Sequence, residues 1–158
     1  MRVWPASHGL HVEPARPEDA ERLATLHAAS FFRGWSAPEF AAWLTDQATP
    51  GYVVCDARRR IAGFAMLRIA GQEAEILTVA IEKRWRDRKL GTALLRAVID
   101  DLTLSPVTTL FLEVDEHNAA ARSLYARFGF VATGTRRDYY RTPGGRPAAA
   151  LVMRLDLG

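Results

Sequence analysis

The stretch Ile76 to Leu95, Ile-Leu-Thr-Val-Ala-Ile-Glu-Lys-Arg-Trp-Arg-Asp-Arg-Lys-Leu-Gly-Thr-Ala-Leu-Leu, decides the fold. It reads as strand, basic turn, helix. Ile76 to Ile81 is apolar on both faces, as a central strand requires. The turn Glu82 to Lys89 carries five positive residues, Lys83, Arg84, Arg86, Arg88 and Lys89, and leads into a helix whose first turn holds Gly91 and Thr92. A helix N-terminus offers unpaired N–H groups and a partial positive charge, so this junction can seat a phosphate, and the cations add a longer-range attraction. Read alone, the same residues also fit a structural basic turn.

Working outward, the helix Gly91 to about Leu104 is closed by Pro106, and Thr109 to Val114 follows as a strand. Strand, helix, strand implies a parallel crossover. Upstream, Tyr52 to Cys55 and Ile61 to Ile69 form an antiparallel pair around the polar turn Asp56 to Arg60, whose Arg58-Arg59-Arg60 triplet is expected as a solvated hairpin tip. Gly71-Gln72 turns the chain into Glu73 to Ile81. Earlier still come a first strand, Leu10 to Glu13, and a helix opened by Pro17 with Glu18 and Asp19 in its first turn. A short second helix is capped by Ser36 and Glu39. Downstream, Asn118 caps a last helix that Gly129 stops, and Phe130 to Tyr140 with Ala148 to Leu155 make a closing hairpin around Pro143-Gly144-Gly145. The expected fold is α/β: a mixed sheet of about seven strands with about four helices, with a loose tail over residues 1–7 and one domain over residues 8–158.

Composition bounds the function. A chain of 158 residues, 49% hydrophobic and 25% charged, is an ordinary soluble globular domain. The net charge of +3 favours an anionic partner, either cofactor phosphates or nucleic acid. Cys55 is the single cysteine, so neither an intramolecular disulfide nor a Cys-based zinc site is expected. No apolar run approaches the ~20 residues of a membrane span, and the N-terminus lacks a signal-peptide pattern, so the expected location is the cytoplasm. His8, His11, His27 and His117 have no His-Glu-x-x-His spacing, and there is no Gly-x-x-x-x-Gly-Lys loop and no Gly-x-Ser-x-Gly elbow.

The strand Thr109 to Val114 places Leu110, Leu112 and Val114 on one face and Phe111 and Glu113 on the other. A carboxylate on such a strand is a candidate base, because partial desolvation favours its protonated form. The alternative is an ion pair with one of the arginines. Asn118 and Tyr125, seven residues apart, share a helix face, and Leu124 and Phe128 mark the neighbouring face toward the core. Tyr125 is either a proton donor or a packing residue.

Arg86, Lys89 and Gly91 resemble the pyrophosphate loop of the GCN5-related N-acetyltransferase (GNAT) family, with Lys89 standing where the family usually has Gly. Leu112-Glu113-Val114, Asn118-Ala119-Ala120-Ala121, Leu124-Tyr125 and Phe128-Gly129-Phe130 resemble its ribosomal-protein alanine N-acetyltransferase branch. So do Arg136-Arg137-Asp138-Tyr139-Tyr140 and Trp35-Ser36 with Phe40. The resemblance implies an acetyl-CoA-dependent N-acetyltransferase with Glu113 as general base and Tyr125 as general acid, and no metal. It also implies that Val79, Ala80, Ile81 and Asn118, with Tyr125, meet the pantetheine arm. Arg86, Asp87, Arg88, Lys89, Leu90, Gly91 and Thr92 would hold the pyrophosphate, and Trp35, Tyr139 and Tyr140 would line the acceptor side. The implied acceptor is a protein N-terminus, such as the N-terminal alanine of a ribosomal protein. No stable nucleic-acid binding and no membrane are expected, and the chain is expected as a monomer or weak dimer. Arg146-Pro147-Ala148 replaces an acidic pair of that branch, and Arg141 replaces a Pro. These departures keep open a small-molecule amine or lysine acceptor, beside a non-catalytic acyl-CoA binder.

Overall fold

The structure is a computed structural model; it describes residues 2–30, 34–141 and 147–158, with side chains given outside 137–148. The chain runs β1 (Trp4–Pro5), β2 (His11–Pro14), a 3-10 turn (Pro17–Asp19), α1 (Ala20–Ser30), α2 (Ala37–Leu44), β3 (Gly51–Cys55), β4 (Ile61–Ala70) and β5 (Glu73–Ile81). A second 3-10 turn (Lys83–Trp85) precedes α3 (Leu90–Thr103), β6 (Thr109–Asp115), α4 (Ala119–Arg127), β7 (Val131–Arg141) and β8 (Pro147–Asp156). The described strands form one sheet in the order β1-β2-β3-β4-β5-β6-β8-β7. Only β5 and β6 pair in parallel, the geometry a helical crossover allows. The strand beyond the seven expected is β1: within the presumed tail, Trp4 and Pro5 pair with Val12 and His11, and the Trp4 ring meets Tyr52 edge-on at 6.0 Å.

Local chemistry sets the helix ends. The Ser36 hydroxyl accepts the Glu39 N–H (3.3 Å), and Asn118 Oδ1 accepts the Ala121 N–H (3.1 Å), each satisfying a donor the helix cannot. The last helix stops where Gly129 takes φ +97°.

Two apolar layers sandwich the sheet. On one face Leu90, Leu94, Leu95 and Val98 of α3, with Leu124, Tyr125 and Phe128 around α4, cover Ile76, Leu110, Leu112 and Val114. On the other, Leu23 and Leu26 of α1 and Phe40 of α2 cover Val53, Phe64, Met66 and Ala80. Each fully buried side chain of this size contributes about 1.5–3 kcal/mol.

One expectation fails at the β3–β4 turn. Arg59, at φ +60°, does not point into solvent with its neighbours; it folds back onto two buried carboxylates. Its guanidinium grips Asp19 through both nitrogens (2.6 and 3.1 Å) and bonds Glu13. The turn is thus an anchor tying β2, the start of α1 and the β3–β4 hairpin together. A run of three arginines carries no signal of which one turns inward.

Candidate active site

The parallel ladder between β5 and β6 runs from Glu73 opposite Thr109 to Ile76 opposite Leu112 and then ends. Yet β5 continues to Ile81 and β6 to Asp115. Beyond Ile76 and Leu112 the two strands keep their outer partners, β4 and β8, but not each other. The sheet therefore opens into a fork whose inner edges carry backbone groups outside the ladder, and these must find partners elsewhere.

A bulge sets which side chains meet the fork. Leu67 pairs with Ile76 but Met66 pairs with Thr78, so Leu77 is the extra residue on β5. The alternation consequently reverses. Val79 and Ile81 pack on the α3 side, while Ala80 belongs to the α1–α2 side and Thr78, opposite Met66, shares that side. The expected pantetheine residues Val79, Ala80 and Ile81 thus lie together on one arm of the fork. Thr78 is 6% exposed, and among the described residues its hydroxyl is the one buried side-chain oxygen or nitrogen with no hydrogen-bond partner.

Glu113 stands on the other arm. Leu112 and Val114 point into the α3–α4 core, so Glu113 points to the α1–α2 face, as Thr78 does. Its side chain is 15% exposed and accepts a bond from Arg136 Nη1 at 2.6 Å, so the arginine pairing left open by the sequence is present. Tyr125 approaches from the opposite face, packed in the α3–α4 layer and edge-on to Phe130 at 5.7 Å. Burial pushes its phenol up to about 12, which keeps it protonated at neutral pH. The two candidate proton carriers therefore lie on opposite faces of the sheet.

The basic loop closes the end of the fork. Asp87 and Lys89 both take φ +63°, so Lys89 adopts the left-handed conformation usually given to Gly. Such a chain turns successive N–H groups toward one point, a concavity suited to an anion. At the first turn of α3 the N–H groups of Leu90, Gly91 and Thr92 precede any intrahelical bond, and Ala93 is the first to reach back, to Lys89 O at 3.1 Å. Arg86 bonds Ile81 O (3.2 Å) and Ser30 Oγ (3.3 Å), fastening the loop to β5 and α1. Arg88 stacks over Trp85 at 5.1 Å, and its carbonyl accepts from Ser7 Oγ at 2.6 Å. A cavity of about 350 Å³ lies beside this junction, lined by Arg22, Ser30, Ile81, Lys83 and Arg86 among others. The residues present suit a phosphate-bearing thioester: an N–H concavity with cations at one end, and an open strand edge leading from it.

On the acceptor side Trp35 sits in an aromatic cluster, stacked on His27 at 4.2 Å and edge-on to Trp43 at 4.8 Å. Its backbone N–H donates to His27 Nδ1 (3.0 Å). Burial pushes the His27 imidazole down to about 4, so it is neutral at pH 7. This fastening was not visible in the sequence, where His27 is one helix residue among others. Asn118 Oδ1 is taken by the helix cap. The side chains of Tyr139 and Tyr140 lie outside those described.

Among the described residues His11, Glu13 and Cys55 form the one group with metal-ligand atoms in reach of each other. Glu13 is already bonded by Arg59 and by Arg16 (3.4 Å), and burial pushes the Cys55 thiol up to about 11. A thiol held protonated beside a neutralised carboxylate is a poor metal seat.

A model of the acetyltransferase (GNAT) family matches residues 20–130. An Escherichia coli [ribosomal protein bS18]-alanine N-acetyltransferase is 39% identical over 98 residues, 62% of this chain and 66% of that protein, so the match spans just under two thirds of the relative. A Mycobacterium tuberculosis relative, N-alpha-acetyltransferase RimI, is 34% identical over 146 residues, 89% of this chain and 88% of its own. Among solved structures, the ribosomal-protein-S18-alanine N-acetyltransferase from Escherichia coli superposes with a TM-score of 0.85 at 29% identity, covering 94% of both chains.

Proposed function

The chain belongs to the acetyltransferase (GNAT) family, and on that premise we propose that it transfers acetyl from acetyl-CoA to the N-terminal amine of a protein, the N-terminal alanine of a ribosomal protein fitting best. The observation that carries this reading is the fork, with Glu113 on one face, Tyr125 on the other and the basic N–H concavity at its end. Acetyl-CoA supplies an acyl group activated as a thioester. Its phosphates suit Arg86 to Thr92, and its amide-bearing arm suits the open edge at Val79, Ala80 and Ile81, which can pair with amides as a neighbouring strand would.

The acceptor amine must lose a proton before it attacks. Glu113, on the same face as Trp35, takes that proton directly or through water. Arg136 occupies part of the carboxylate and orients it, and the remaining lone pairs face the incoming ammonium. As the new C–N bond forms and the C–S bond breaks, Tyr125 gives its phenolic proton to the departing sulfur from the opposite face. No covalent enzyme intermediate is needed, so buried Cys55 stays a core residue. The two relatives and the superposable structure, named for ribosomal-protein alanine or N-alpha acetylation, support the acceptor class.

The test is CoA release from acetyl-CoA with a panel of Ala-started peptides, lysine peptides and small amines. Acetylation of the Ala-started peptide alone supports both chemistry and acceptor. Release only with lysines or small amines keeps the chemistry and rejects the acceptor, and acetyl-CoA binding without release to any of them rejects the enzyme.

A further inference from the structure

We infer that Thr78 is the residue that holds the attacking nitrogen, a role that rests on the transfer reading above. A buried hydroxyl without a partner is destabilising, and valine would fill the same space without that cost. Thr78 is 6% exposed and unpartnered, so its hydroxyl is a destabilising choice in the fold as it stands. Its position identifies what the hydroxyl is for. It is the first residue past the Leu77 bulge, it lies where the β5–β6 ladder has ended, and it points to the α1–α2 face that carries Glu113 and the Trp35 cluster.

Two polar side chains thus stand on neighbouring arms of the fork, on one face, with no ladder between them: a carboxylate and a hydroxyl. An acceptor ammonium seated there gives one proton to Glu113. The neutral amine that results has two N–H bonds and a lone pair. Thr78 Oγ1 accepts one N–H, which fixes the rotation of the amine and turns its lone pair toward the thioester carbon in the fork. Hydrogen bonding replaces the lost hydration of the hydroxyl only when the acceptor is bound, so the orphan is satisfied in the complex. The role concerns the nitrogen itself and is therefore common to any amine acceptor.

The experiment compares wild type, Thr78→Val and Thr78→Ser, using whichever amine of the panel the wild type acetylates. Each is measured for kcat and KM toward the amine, for acetyl-CoA affinity by calorimetry, and for melting temperature. Thr78→Val is expected to lose about 10- to 100-fold in kcat/KM for the amine, the range of one hydrogen bond to a charged or developing-charge group. Its acetyl-CoA affinity should stay within about twofold and its melting temperature should rise by a few degrees. Thr78→Ser should recover turnover to within about threefold of wild type. Unchanged turnover in Thr78→Val, or a loss that Ser does not rescue, overturns the assignment while leaving the transfer reading intact. A wild type that takes only lysines or small amines rejects the N-terminal acceptor and still tests Thr78 with the amine it does take, and a wild type inert to every amine overturns both.

Discussion

Two carboxylate–guanidinium sites in this protein use the same chemistry for opposite ends. At the β3–β4 turn, Glu13 and Asp19 are both buried and Arg59 answers both, with Arg16 and His11 completing Glu13. At the fork, Glu113 is partly buried and bonded to Arg136, whose side chain is half exposed. Both carboxylates of the first site are more than nine-tenths buried, and each accepts from several donors. The second lies on a strand edge the ladder has abandoned. Burial with full satisfaction makes an ion pair an anchor; partial satisfaction beside an opening leaves a carboxylate available to something that arrives.

Breaking the anchor should give the largest effect. Arg59→Met leaves buried Asp19 without its guanidinium and Glu13 with only Arg16 and His11, so unfolding free energy by chemical denaturation should fall by about 3–5 kcal/mol. At temperatures where the variant stays folded, kcat should remain within about twofold. A loss of turnover larger than the loss of stability would collapse the distinction between the sites.

Glu113→Gln is the reciprocal test. Turnover should fall by about 100-fold near neutral pH, with stability changed by no more than about 1 kcal/mol. The deficit should shrink as pH rises to where the amine is already neutral. Equal loss at every pH would show that Glu113 positions the acceptor without taking its proton.

The pH dependence of stability sharpens the contrast from the enclosed side. His27 has a folded pKa of about 4 against an ordinary 6.5, so between these values the unfolded chain binds a proton that the fold refuses. Stability is then complete above pH 6.5 and should fall by about 3 kcal/mol as pH drops toward 4. Glu13 works on the next step. Burial opposes its charge, but the hydrogen bonds from Arg59 and His11 outweigh this and hold its carboxyl below its ordinary value of 4.5. Its contribution is present above that value and lost as pH falls through the lowered one. Denaturation curves at pH 7, 5.5 and 4 that superpose would contradict the His27 assignment.

The smallest effect belongs to the loop. Lys89 holds φ +63°, a conformation that costs an L-residue about 1–2 kcal/mol. Lys89→Gly should therefore raise stability by about 1 kcal/mol, net of the greater flexibility glycine has when unfolded. Acetyl-CoA affinity should weaken less than tenfold, because the N–H concavity and the other cations remain. Complete loss of binding would show that the Lys89 ammonium is itself the phosphate ligand.

Much of this molecule was legible along the chain. The apolar run Ile76 to Ile81, the basic turn and the helix after it announced a parallel crossover because each part follows from local periodicity and capping. Glu113 stood out because a charge on an apolar strand breaks a pattern, and Asn118 and Gly129 marked the ends of the last helix by their own conformational preferences. Residues 142–146 and the side chains of Tyr139 and Tyr140 lie outside what the structure describes, so the hairpin tip and the tyrosine pair remain as the sequence left them. The strand Trp4–Pro5 was passed over because two residues are too few to show a period.

The sequence by itself determined the class of fold, the basic turn that is the candidate phosphate seat, and the two proton-carrier candidates, since all of these rest on neighbours in the chain. Tertiary structure alone decided which of three arginines turns inward to Glu13 and Asp19, that Arg136 is the partner of Glu113, and that Lys89 is held left-handed. It also decided that a bulge at Leu77 turns Thr78 onto the face of Glu113 with its hydroxyl unpaired. These are relations between segments far apart in sequence. A local pattern fixes which way a side chain alternates, but only the packed sheet fixes what it then meets.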